Sequence, residues 1–177
     1  EVGNATKCKS AVKDYIEHVV GTTDVKFDGL KIALDCANGS ASVCAKDIFT
    51  SLGAKCFMLS DTPDGVNIND KCGSTHPEEL MKFVKDAGLD LGLAFDGDAD
   101  RMLAVDENGE LVDGDKVIAV CASKMKEEGK LKKDTAVVTV MSNMGFFKFC
   151  EANNINCEKT AVGDRYVLEK MLKEGYN

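Results

Sequence analysis

An α/β fold is predicted: a mixed, mostly parallel sheet flanked by helices, followed by an incomplete second α/β domain. Three observations carry this. Short apolar runs alternate with helical stretches along the first hundred residues, which is the pattern of parallel crossovers. An Asn108-Gly109 turn between two short apolar runs then marks a hairpin and an antiparallel edge. After residue 112 the alternation restarts, but the sequence holds only two further strand-like runs before Asn177.

Taken in order, residues 7–20 predict a helix with Val12, Tyr15, Ile16, Val19 and Val20 on one stripe. Leu30–Asp35 (LKIALD) is a strand-type run that opens into the loop Cys36–Ser40. A helix from about Ser42 to Leu52 stops at Gly53, and Lys55–Ser60 is the next strand. Residues 61–74 form a long polar connection, longer than linkage alone requires. A helix from Thr75 or His76 to Ala87 has Thr75 and Glu78 at capping-box spacing and Gly88 at its end. Leu89–Phe95 is a strand apolar enough to be buried on both faces. Asp96–Arg101 is a tight polar loop, and Met102–Asp106 with Glu110–Val112 form the hairpin.

The second domain is expected over residues 113–177. It contains helices at 115–128, 145–153 and 164–174, with strands at 135–141 and 155–160. Two strands with three helices make an unfinished α/β unit, so this part is expected to be mobile or to self-associate through uncovered apolar surface.

Composition narrows the function. The 177 residues include 44% hydrophobic and 29% charged residues, the mixture of a folded chain. Thirty acidic residues against 22 basic give a net charge of −8, and the Lys-rich stretch 124–133 is interleaved with Glu127 and Glu128. That argues against nucleic acid, whose phosphates call for a basic stripe. No apolar run approaches the roughly 20 residues that span a bilayer, so no membrane partner is expected. The eight cysteines lack any CxxC pair and several lie in apolar segments, which reads as reduced thiols in a cytoplasmic protein. With only His18 and His76 available, a zinc site is not indicated.

The chemistry concentrates at Phe95-Asp96-Gly97-Asp98-Ala99-Asp100-Arg101. Three carboxylates at alternate positions leave the end of a buried strand, and the small spacers Gly97 and Ala99 let them converge. Like charges held that close repel unless some protonate or a cation joins them. A hard divalent ion with oxygen ligands, Mg²⁺ or Ca²⁺, resolves the conflict. A bland alternative is a solvated acidic turn whose aspartates cap backbone amides. An EF-hand would fit Asp96, Asp98, Asp100 and Glu107, but it demands glycine where Arg101 stands and helices where strands are expected. An aspartyl-phosphate enzyme of the haloacid-dehalogenase-like class also begins with Asp-x-Asp after a strand. The third aspartate and Arg101 suit that reading less well.

The run from Phe95 to Arg101, with the MLAVDENGELVDGD that follows it, closely resembles the metal-binding loop of the α-D-phosphohexomutase superfamily. Leu34–Gly39 (LDCANG) is similar to the loop after the first strand of that family's second domain. Val66–Asn69 (VNIN), Cys72–Glu78 (CGSTHPE) and Val162–Val167 (VGDRYV) resemble its phosphoglucosamine branch most. The resemblance implies a fragment, second domain and start of the third, of a four-domain Mg²⁺-dependent enzyme. It would interconvert glucosamine 6-phosphate and glucosamine 1-phosphate through a phosphoserine and a bisphosphate. Glucose and mannose phosphates are the alternative substrates, and a metal-binding or assembly module without a cleft is the alternative from another class. Carried over, Asp96, Asp98 and Asp100 are metal ligands, Arg101 faces phosphoserine or substrate, and Asp164 and Arg165 border the sugar. His76, beside Pro77, is expected at a helix start with no catalytic part. The family's serine loop, of Thr-Ala-Ser-His-Asn-Pro type, is absent, as are its sugar-binding and phosphate-binding loops. No catalytic residue is therefore expected in this chain, which is expected to be inactive alone.

Overall fold

The aliphatic run around Ile32 forms β1 (Lys31–Asp35), an interior strand of a five-stranded sheet in the computed structural model. The structure describes residues 3–177; Glu1 and Val2, at the start of the first expected domain, lie outside the described residues. Around β1 stand β2 (Lys55–Leu59), β3 (Leu91–Phe95), β4 (Met102–Val105) and β5 (Leu111–Val112), in the order β2-β1-β3-β4-β5. β1 runs parallel to β2 and β3, while β4 runs antiparallel to β3 and β5 antiparallel to β4. Asp35 lies opposite Leu59 on one side and Ala94 on the other. The carboxyl ends of β1 and β3 are thus neighbours, and the loops that leave them meet. Open α/β sheets place their ligands at such strand ends.

Both faces of this sheet are covered, which is why β1 is continuously apolar rather than alternating. Ile32, Leu34 and Leu93 point to one face with Ala41 and Ala45 of the following segment. Ala33, Ala94 and Val105 point to the other, against Leu80 and Val84 of α3 (Glu78–Ala87). Leu80 and Val84 are both 0% exposed, and burying each contributes about 1.5–3 kcal/mol.

Helix boundaries moved for identifiable reasons. The first helix, α1, spans Ala11–Val20 rather than 7–20, because the Ser10 hydroxyl donates to the Asp14 carboxylate and caps no backbone N–H. None of its residues is buried. The stretch 42–52 divides into a 3-10 turn at Ser40–Val43 and a helix, α2 (Ala45–Ser51). α3 does not begin at Thr75: that residue ends a 3-10 turn, and His76 is kept out of helical geometry, at φ −141° and ψ 69°, before the proline that follows it. No capping box forms, and Pro77 is the N-cap. The Asn108-Gly109 hairpin is present, but Gly109 alone of the pair has positive φ, at 78°. The Asp106 carboxylate accepts from the N–H groups of Asn108 and Glu110, which converts the tight two-residue turn into a longer one with a glycine bulge.

The chain divides into two compact units, Glu1–Val112 and Asp113–Asn177. In the second, α4 (Gly114–Glu127) is capped by Asp113, whose carboxylate accepts from Lys116 N–H at 2.9 Å. β6 (Thr135–Thr139), α5 (Met144–Ala152), β7 (Asn156–Thr160) and α6 (Asp164–Glu174) follow. β6 and β7 pair in parallel as a two-stranded sheet. β6 stops at Thr139 instead of Met141 because β7 has no residue beyond Thr160 to pair with; Val140 N–H takes the last carbonyl. Ala122, Val138, Phe146, Cys150 and Ile155 form the core. α6 buries no residue, and its Leu168 and Leu172 are exposed. Among the eight thiols, Cys36, Cys72 and Cys150 are buried, whereas Cys8 and Cys121 are exposed. No helix among the described residues is long and apolar enough to cross a membrane.

Candidate metal centre

β3 delivers its buried apolar run directly into Asp96. The chain reverses over residues 96–101 and returns as antiparallel β4, with Phe95 opposite Met102, so the acidic loop is itself a hairpin connection. Ala99 N–H bonds the Asp96 carbonyl at 3.1 Å, and Ala99 takes a left-handed φ of 58° to close the turn. Strands rather than helices on both sides remove the EF-hand reading.

The reversal gathers the three aspartates. One carboxylate oxygen from each of Asp96, Asp98 and Asp100 lies within 4.8 Å of the others. Oxygen ligands sit about 2.0–2.6 Å from Mg²⁺ or Ca²⁺, so two ligands of one ion are at most roughly 4–5 Å apart. The donor set and its spacing therefore fit a hard divalent cation. Asp96 is 2% exposed while Asp98 and Asp100 are open to solvent, so the cluster is anchored at one corner and accessible at the other two.

Arg101 balances part of the charge. Its backbone N–H reaches Asp96 Oδ1 at 3.2 Å, and its Nε reaches Asp96 Oδ2 at 2.8 Å and Asp100 Oδ1 at 3.3 Å. Burial pulls Asp96 upward, but the backbone N–H of Arg101 and the charge of its side chain outweigh it and hold the carboxyl below the usual range. Asp100 moves the other way, raised by partial desolvation and then by the like charge of Asp98. The two shifts differ because Arg101 favours the Asp96 carboxylate most, while Asp100 meets the like charge of Asp98.

The loop is fastened by two segments, the loop after β1 and the connection 61–74, to whose individual residues sequence reasoning gave no role at the site. Ser40 N–H donates to the Gly97 carbonyl at 2.9 Å. Gly39 lies so close that a Cβ there would fall 2.2 Å from that same oxygen, which makes glycine obligatory. The polar connection 61–74 arches over, with Ile68 and Asn69 side chains against Gly97. Asp35, 1% exposed, ties the β1 loop to this connection by accepting from Ala37 N–H at 2.9 Å and Gly73 N–H at 2.8 Å. One signal was available: Asp35 is a charged residue inside a run otherwise apolar, at a position where the pattern puts a buried side chain.

Asp164 and Arg165 belong to the second unit, at the start of α6. Asp164 Oδ1 accepts from Arg165 N–H at 2.8 Å, and Arg165 Nε pairs with Glu169 one turn on, also at 2.8 Å. Asp164 lines a cavity of about 570 Å³ with Asp115, Ser142 and Met171. His76 sits between a 3-10 turn and the Pro77 cap of α3.

Comparison with known proteins places both units. Residues 13–109 match the family model of phosphoglucomutase/phosphomannomutase α/β/α domain II, and residues 113–177 match domain III of the same family. The chain belongs to the phosphoglucomutase/phosphomannomutase family, the phosphohexomutases. Within it, the chain is 55% identical over 175 residues to the phosphoglucosamine mutase of Clostridium novyi and 56% identical over 175 residues to that of Clostridium acetobutylicum. In both cases 99% of this chain aligns with 39% of the relative, so the chain spans well under half the length of the curated relatives it matches. A crystal structure of a phosphoglucomutase/phosphomannomutase family protein from Burkholderia thailandensis superposes with a TM-score of 0.78 at 25% identity, covering 94% of this chain and 36% of that one.

Proposed function

We propose that this chain is the metal-bearing segment of a phosphoglucosamine mutase, which interconverts glucosamine 6-phosphate and glucosamine 1-phosphate. The observation that carries the reading is the convergence of Asp96, Asp98 and Asp100 on one point at the end of β3. The name shared by relatives at 55–56% identity supports the choice of sugar.

On this reading Asp96, Asp98 and Asp100 hold Mg²⁺. When bound, the ion neutralises charge on a phosphoryl group passing between a donor serine and the sugar. The chain's own residues supply position and charge. Asp96 is the fixed corner, pinned by both Arg101 donors. Asp98 and Asp100 face solvent, the side from which a phosphoryl group approaches. Arg101 keeps a guanidinium beside them, and its remaining nitrogens offer a fork to phosphate oxygens. Asp164 and Arg165 contact the sugar, the latter by exchanging its Glu169 partner for substrate. The donor serine lies in a part of the enzyme outside this segment, so the isolated chain is inactive. Unpaired thiols and a net charge of −8 support a cytoplasmic setting without nucleic-acid or membrane partners. Exposed Leu168 and Leu172 support self-association of the isolated chain, which size-exclusion chromatography tests.

The decisive experiment assays the full-length enzyme with glucosamine 6-phosphate, glucose 6-phosphate and mannose 6-phosphate in the presence of Mg²⁺. The reading requires a preference for the amino sugar and loss of turnover in Asp98→Asn. Turnover unaffected by that substitution overturns it, while a preference for glucose or mannose phosphate overturns the sugar assignment alone.

A further inference from the structure

The geometry points to Asp35 as the positioning residue of the acidic loop, a carboxylate that touches neither metal nor substrate yet sets how tightly the three aspartates hold an ion. The inference rests on the metal reading above and adds a residue to it.

Asp35 is the last residue of β1, charged and 1% exposed at the foot of the cluster. A carboxylate is expensive to bury unless its oxygens are satisfied, and here each is taken by a backbone N–H: Ala37 on Oδ1 at 2.9 Å, Gly73 on Oδ2 at 2.8 Å. Those amides belong to two loops far apart in sequence. Ala37 lies in the turn leaving β1, with left-handed φ at both it and Asn38. Gly73 closes the polar connection, packed so that a Cβ would meet the Phe95 carbonyl and the Ala37 side chain at 2.5 Å.

Both loops bear on Gly97, between the first two aspartates. Through the first, Ser40 N–H holds the Gly97 carbonyl at 2.9 Å and Gly39 abuts its backbone. Through the second, Ile68 and Asn69 lie against Gly97, and Asn69 N–H bonds the Ala37 carbonyl at 2.9 Å. Asn38 adds a cross-tie, its carboxamide accepting from Thr62 N–H and donating to the Asn67 carbonyl. Asp35 is a buried acidic member of this lattice, and its two oxygens join the two loops. Cutting its bond to Gly73 removes the buried tie between the connection and the β1 loop and leaves the Asn38 and Asn69 bonds given above, so the support of Gly97 loosens on two sides. Asp98, exposed and adjacent, then wanders from its neighbours, which already repel it. Outer-shell groups that orient ligands change metal affinity by about 10–100-fold when removed.

Asp35→Asn is the informative variant. It keeps the volume but offers one acceptor and one NH₂, so either Ala37 or Gly73 N–H faces a donor. Ile32→Val, on the same strand and 1% exposed, is the control, since it loosens the core and leaves every hydrogen bond in place. Isothermal titration of Mg²⁺ into the chain is expected to show about 10-fold weaker binding for Asp35→Asn and unchanged binding for Ile32→Val. Without metal, the Ser40 amide is expected to exchange its hydrogen about 10-fold faster in Asp35→Asn than in wild type. Coupling is reciprocal, so Mg²⁺ added to the wild-type chain should slow exchange at Ala37 and Gly73 by a comparable factor. This last measurement holds even if Asp35→Asn fails to fold. Equal Mg²⁺ affinities in wild type and Asp35→Asn, or Ala37 and Gly73 exchange indifferent to Mg²⁺ that does bind, overturn the positioning role alone. A wild-type chain that binds no Mg²⁺ overturns the metal reading and this inference together.

Discussion

The chain contains the dipeptide Asp-Arg twice, and the two copies behave differently. Asp100-Arg101 sits in a hairpin connection, where the chain reverses and Arg101 folds back onto Asp96 and Asp100 at 2.8 and 3.3 Å. Asp164-Arg165 opens α6, where the backbone advances in one direction and Arg165 reaches only as far as Glu169, four residues on. The first pair is drawn to a buried carboxylate that is pinned from below. The second forms an exposed ion pair along a helix, of a kind that contributes about 0.3–0.5 kcal/mol. Residue type is the same; the difference is a strand end that concentrates charge against a helix start that spreads it.

The largest effect expected from this contrast is at the floor of the first site. Gly39→Ala places a Cβ 2.2 Å from the Gly97 carbonyl oxygen, so one loop must move away. Destabilisation of about 1–3 kcal/mol is expected by chemical denaturation, with weaker Mg²⁺ binding by titration. A variant as stable as wild type would show the loops are not packed as described.

Alkaline pH probes the dryness of the same floor. Burial, then the charges of Asp61 and Asp35, pushes the Cys36 thiol from 9.0 up to about 12. The unfolded chain ionises this thiol above pH 9, while the folded chain keeps it protonated until about 12. Stability therefore falls with rising pH across that window, by about 1.4 kcal/mol per unit from this group. Denaturation at pH 9 and 10.5 should show a steeper loss in wild type than in Cys36→Ala. Equal slopes would mean that Cys36 is reached by water.

Neutralising the two arginines separates the copies at smaller amplitude. Arg101→Gln removes a cation from among three carboxylates, and at about 4 Å even fully solvated charges interact by about 1 kcal/mol. Mg²⁺ should then bind this chain roughly fivefold more tightly, read by titration. Arg165→Gln should leave that affinity unchanged and shift stability by no more than about 0.5 kcal/mol. Identical responses from both variants would erase the distinction.

Most of the fold was legible because strand-type runs in an α/β chain are short, apolar and bounded by glycine or polar residues. β1, β2 and β3 each lie within their expected segments, the first unit's helices lost only their ends, α4 and α5 shifted by one residue, and α6 has its expected bounds. Those ends depended on local rivals of the helix: the Ser10–Asp14 bond, the proline that keeps His76 out of helical geometry, the 3-10 turn before Ala45. At the site, the alternate spacing of Asp96, Asp98 and Asp100 was enough to foresee convergence, because a reversing backbone with small spacers leaves little else. The support beneath was not legible. Asp35 reaches Gly73, and Gly39 and Ile68 reach Gly97, across gaps of some 30 to 60 residues, and no periodicity records which loop ends up under which. The length of the 61–74 connection hinted at a task; only its packing against Gly97 shows what that task is.

Whether three exposed-to-buried aspartates act as one ligand set is most directly measured by titrating Mg²⁺ into the wild-type chain and into Asp98→Asn under identical conditions. A single saturable site in wild type, weakened by more than tenfold in the variant, is the predicted result. Superimposable isotherms, or no binding by either protein, would contradict it.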